Sequence, residues 1–67
     1  MTYAIEFYRG AASGTRTRFG CAMSGYRTVE AAVQAAVDYL RQTRYADVGA
    51  VVLEEGLWPI RVREVVL

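Results

Sequence analysis

A change of hydrophobic period, from two residues to 3.6 and back to two, constrains this chain more than any other feature of its sequence. Residues 2–9 alternate, with Tyr3, Ile5 and Phe7 on one side and Ala4, Glu6 and Tyr8 on the other. That period, carried by aromatic and branched side chains, predicts a half-buried strand. Gly10 to Gly14 is a glycine-bracketed loop suited to a hairpin connection. Residues 15–23 alternate again: Thr17, Phe19, Cys21 and Met23 against Arg16, Arg18, Gly20 and Ala22. The two runs read as a hairpin that Ser24-Gly25 closes off.

From Val29 the apolar residues fall at 29, 32, 33, 36, 37 and 40, a single helical stripe. The Thr28 hydroxyl stands where it can accept from an amide of the first turn. Glu30 follows, where a negative charge favours the helix dipole. The alanines raise helix propensity, and Arg41 and Arg44 suit the terminal carbonyls, so a helix is predicted over 28–44. Val48–Leu53 then reads as a third strand and Leu57–Leu67 as a fourth, with Pro59 near its start. A proline there means an edge strand or pairing that begins at Ile60.

A two-residue turn at Glu55-Gly56 would set Leu53 opposite Trp58 and Val51 opposite Ile60. In that register Val51, Leu53, Trp58, Ile60 and Val62 lie beneath the helix, and Ala50 and Val52 share the other face with Arg61 and Arg63; a bulge would change the assignment by one residue. The element order is β-β-α-β-β, which predicts an α+β fold: one small domain over 1–67, an antiparallel sheet with one helix packed on one face. One helix cannot cover both faces of such a sheet, so the other stays open to solvent or to a partner.

Composition narrows the function classes. The chain has 67 residues, 54% hydrophobic and 22% charged, which is a folding composition. A domain of this size buries only about 60% of the surface its unfolded chain exposes. Disulfides, a metal or a partner commonly make up the difference. Cys21 is the only cysteine and the chain has no histidine, so neither a disulfide nor a closed zinc site is available within it. Partner binding or self-association, a homodimer included, is the remaining support. No stretch approaches the roughly 20 apolar residues of a membrane span. Glu6 interrupts the first apolar run and no basic start precedes it, unlike a signal peptide. A cytoplasmic protein with no membrane partner is the expectation.

All eight basic residues are arginine, and neither lysine nor histidine is present. Cys21, Ser13 and Ser24, the conventional nucleophile candidates, therefore have no lysine or histidine base. Cys21 falls on the inward side of the second strand, where a thiol packs as a small apolar group. Glu54 and Glu55 are adjacent, and consecutive strand residues point to opposite faces, so the doublet suits a solvated turn better than a catalytic pair. No glycine-rich phosphate motif is present. An enzyme is not expected, and no cofactor or metal ligand set is assigned.

Strand parity gathers Arg16, Arg18, Arg61 and Arg63 on the open face with Glu6 and Tyr8, and these six residues form the expected partner-binding set. Guanidinium groups make fork-like hydrogen bonds to carboxylates or phosphates. The plain alternative is that they are solvated or pair with Glu6 and Glu64 across strands. Nucleic acid is a second candidate partner, and Arg18–Met23 faintly resembles the strand motif of RNA-recognition domains. Against it, the net charge is only +1, and Phe19 points away from the arginines instead of offering a stacking surface. Tyr8, Tyr26, Tyr45 and Trp58 are the aromatics least firmly placed in the core, and they are of the types enriched at interface hot spots. Of these, Trp58 is favoured for the core, and Tyr26 and Tyr45 flank the helix, where they could equally staple it to the sheet.

In size and element order the whole chain resembles the small phage-encoded anti-CRISPR proteins, several of which set one helix against an antiparallel sheet. The resemblance is carried by the hairpins Tyr3–Met23 and Val48–Val66 around the alanine-rich helix opening Thr28-Val29-Glu30-Ala31-Ala32. It implies a non-catalytic inhibitor in the host cytoplasm that binds a CRISPR-Cas complex subunit and blocks DNA recognition or nuclease recruitment. Inhibitors of that class that imitate DNA are strongly acidic; this chain is not, so steric occlusion fits better. The alternative is a small nucleic-acid-binding or regulatory domain that uses the arginine-bearing face.

Overall fold

The order of elements is β1 (Tyr3–Arg9), β2 (Thr17–Arg18), β3 (Met23–Tyr26), α1 (Val29–Gln42), β4 (Val48–Glu54) and β5 (Ile60–Val66). The computed structural model describes residues 1–10 and 16–67, so most of the expected 10–14 loop lies outside the described residues. The fold class is the expected one, an α+β domain with a single helix against an antiparallel sheet. The strands run in the order β2-β1-β4-β5, and β3 also pairs with β1. β1 and β4 are therefore central, and β5 is an edge strand.

The second expected strand is split in two. Gly20 adopts φ +68, and a Cβ there would lie 2.8 Å from the Tyr39 hydroxyl. The chain turns at this point, and pairing with β1 resumes at Met23 and runs through Ser24-Gly25. Cys21 falls in the gap between the two short strands and is exposed, a correction to its expected place in the core.

α1 forms as its stripe dictates. Thr28 Oγ1 accepts from the Ala31 amide at 3.0 Å, and Ala32, Ala36 and Leu40 are buried. These meet Ile5 and Phe7 of β1, Val48, Ala50 and Val52 of β4, and Val65 of β5. Phe7 packs against Tyr39 at 4.3 Å between ring centroids, and Phe19 meets Tyr45 edge-on at 5.4 Å. The small side chains of Ala32, Ala36 and Ala50 bring helix and sheet close together, with Phe7, Ile5 and Val52 filling the volume.

The β4–β5 register differs from the expected one. Leu53 pairs with Arg61 and Glu54 with Ile60, so residues 55–59 form the connection in place of a two-residue turn. Ala50 and Val52 face the helix; Val51 and Leu53 occupy the opposite face beside Glu6 and Ala4. Trp58, Ile60 and Val62 are exposed, not core. β5 also carries a bulge. Val52 pairs with Arg63 and Leu53 with Arg61, which leaves Val62 as the additional residue. Pro59 sits just outside β5, on an edge strand whose pairing starts at Ile60.

Candidate interaction surface

Two surfaces stand out, the sheet face opposite α1 and the apolar end of the β4–β5 hairpin. On the sheet face, Glu6, Val51 and Glu64 line up across β1, β4 and β5, and Tyr8 and Gly49 form the next row. Gly49 presents no side chain, so the Tyr8 ring lies across β4 and its hydroxyl donates to Glu64 Oε1 at 2.8 Å. Arg16 covers the ring, its guanidinium carbon 4.5 Å from the centroid, and Nη2 donates to the same carboxylate oxygen at 2.6 Å. Tyr8 is consequently 5% exposed although it lies on the face without a helix.

The charges follow from these contacts. Burial, reinforced by the Glu64 carboxylate, raises the Tyr8 phenol above its usual 10.0. The hydrogen bond from Tyr8, followed by the influence of Arg16 and Arg61, holds the Glu64 carboxyl below its usual 4.5. Arg18 pairs with Glu6 at 3.4 Å. Of the six residues expected to form the partner-binding set, Arg16, Arg18, Arg61, Tyr8 and Glu6 share this face. Arg63 does not. The bulge at Val62 puts it opposite Val52, and directly paired residues share a face, so it belongs to the helix side of the edge strand.

Arg16 and Arg18 are thus committed to Glu64 and Glu6. Arg61 is different: among the described residues it makes no hydrogen bond or ion pair. Two shallow depressions flank these residues. One, of about 200 Å³, is lined by Val51, Arg61, Val62, Arg63 and Glu64, and the other, of about 270 Å³, by residues that include Glu6, Leu53, Glu55 and Pro59. Both are smaller than the roughly 300–1,000 Å³ typical of small-molecule sites.

The second surface lies outside the expected partner-binding set, although Trp58 is one of the aromatics the sequence leaves least firmly in the core. Leu57 is 91% exposed and Trp58 78%, at the tip of the hairpin. Ile60, Val62 and Val66 continue the exposed apolar series along β5. The base of the tip is anchored. The Glu55 amide donates to the Thr2 carbonyl at 2.9 Å, and its carboxylate accepts from the Gly25 amide at 2.9 Å. An apolar tip on a fixed base, beside an open strand edge, combines the two elements that β-strand addition uses: side-chain anchors and unpaired backbone groups. A sequence signal for part of this did exist. Arg63-Glu64 interrupts the alternation of β5, which is what a bulge produces.

No helix among the described residues is long and apolar enough to cross a membrane. No protein-family model matches this chain, and comparison with curated proteins and with solved structures gives no match.

Proposed function

We propose that this chain is a non-catalytic protein-binding module whose contact surface is the Leu57-Trp58 tip together with the edge strand β5. One observation carries the reading: Leu57 and Trp58 are exposed side by side at the end of a hairpin whose base is tied down. An aromatic side chain buries about 150–250 Å² when covered. At ~25 cal/mol per Å² that is roughly 4–6 kcal/mol of gross driving force for one residue. Tryptophan is among the residue types most enriched at interface hot spots. The arginine face supports the reading less well, because two of its three guanidinium groups already meet carboxylates. The same pairing weakens the nucleic-acid alternative, since phosphate binding would have to displace Glu6 and Glu64.

The resemblance to small phage-encoded anti-CRISPR proteins gives the reading its most concrete form, a stoichiometric inhibitor of a CRISPR-Cas complex that works by occlusion. Phage plating on a CRISPR-immune host that expresses the chain tests that form. Restored plating with the wild-type chain, abolished by Leu57→Ala/Trp58→Ala and retained in Arg18→Ala, is the expected pattern. No restoration against any effector type removes the inhibitor form. Full restoration by the double variant removes the assigned surface.

A further inference from the structure

We infer that the partner of the β5 edge is a second copy of this chain, in an antiparallel two-fold pairing that sets Arg61 of each copy against Glu64 of the other. The inference rests on reading this edge as a protein-binding surface and names its occupant, so a CRISPR-Cas target would meet the dimer and not the bare edge. Directly opposed residues in a continuous sheet must share a face. In a regular strand, residues three apart lie on opposite faces and cannot oppose one another in a two-fold pair. The bulge at Val62 removes that obstacle, because Arg61 lies opposite Leu53 and Glu64 opposite Val51, both on the face away from α1.

The resulting register is complementary on either side of its axis, where Val62 of each copy meets Arg63 of the other. Ile60 meets Val65 of the second copy, Arg61 meets Glu64, and the two-fold axis passes between Val62 and Arg63. Arg61 has no ion-pair partner of its own among the described residues. Glu64 receives both Tyr8 and Arg16 on Oε1, which leaves Oε2 for an incoming guanidinium. A register that centres the axis on Arg63 or on Glu64 instead opposes like charges. Beyond the ladder, Trp58 reaches the Val66-Leu67 end of the other strand, so exposed apolar groups on each copy cover one another. The two sheets become continuous, with both helices on one side. The pairing also supplies the support that so small a core lacks.

The test uses the whole chain, with mass measured by light scattering from low micromolar to submillimolar concentration. Emission of Trp58, the only tryptophan, is followed in parallel. The expected result is a rise from monomer to dimer mass, accompanied by a blue shift. Arg61→Asp breaks no hydrogen bond or ion pair among the described residues, although it reverses a charge that acts on Glu64 and Tyr8, and it should raise the dissociation constant by about tenfold or more. Val62→Cys in a Cys21→Ser background should form a disulfide across the axis. Monomer mass with unshifted emission at every concentration overturns this inference and leaves the surface to a different protein. A dimer that keeps Trp58 in water and ignores Arg61→Asp overturns both the inference and the reading of the surface. A dimer with shielded Trp58 that forms no Val62→Cys disulfide overturns the register.

Discussion

Tyr8 and Gly49 are register partners on adjacent central strands, and the ring of the one fills the space that a side chain on the other would need. A Cβ on Gly49 would lie 2.8–2.9 Å from the end of the Tyr8 ring. The ring cannot easily yield, since Glu64 holds its hydroxyl and Arg16 its face. Gly49→Ala is therefore expected to cost about 1–3 kcal/mol, as overpacking does. The cost should fall sharply in a Tyr8→Val background. Chemical denaturation of the four members of this cycle measures the coupling, and strictly additive losses would place the strain elsewhere.

The Tyr8–Glu64 bond makes stability depend on pH at both ends of the range. Glu64 titrates below its usual 4.5 in the folded chain, so its contribution is present above that pH and is lost as pH falls through the lowered folded value. Tyr8 titrates above 10.0 when folded, so its contribution is present below pH 10 and is lost as pH rises through the raised value. Glu64→Gln should flatten the acid limb of the denaturation midpoint against pH. Tyr8→Phe should remove the alkaline limb that Tyr8 supplies and cost about 1 kcal/mol at neutral pH.

Cys21 offers a direct check on the break between β2 and β3. Exposed in the gap after Gly20, it should react with a thiol reagent in the folded chain at a rate near that of a free thiol. A core cysteine would react only through unfolding. Protection by several orders of magnitude would show that β2 continues through Cys21.

The helix and β1 were legible in the sequence because their two sides differ chemically. In β1, Ile5 and Phe7 alternate with Glu6, so the phase is fixed, and the alanine-rich stripe behind Thr28 leaves one side of α1 to bury. β4 has no such contrast. Val48, Ala50 and Val52 are apolar on one side, Val51 and Leu53 on the other, and alternation alone cannot say which meets the helix. The phase is set by tertiary fit, with Gly49 beneath Tyr8 and Ala50 beneath the helix alanines. With Val51 and Leu53 phased toward the helix, a two-residue turn would carry Trp58 and Ile60 into the core and Arg63 onto the open face; the observed phase, the longer connection and the bulge place all three elsewhere. Arg16 and Arg18 keep their expected places because β1, to which β2 is tied, has an unambiguous phase; Arg61 keeps its face because the inverted phase of β4 and the longer connection cancel ahead of the bulge. What single-strand parity could not convey is that Arg16 and Arg18 would find carboxylates there.

The central claim is that protein contact is made by β5, Arg61 and Glu64 included, and by the Leu57-Trp58 tip, and not by Arg16 and Arg18 at the β2 side of the sheet. Amide hydrogen exchange at increasing protein concentration compares the two directly. The outward amides of Ile60–Val66 should slow as concentration rises, while those of Thr17 and Arg18 on the opposite edge keep their rates. Unchanged exchange along β5 with slowing at Thr17 and Arg18 would contradict the assignment.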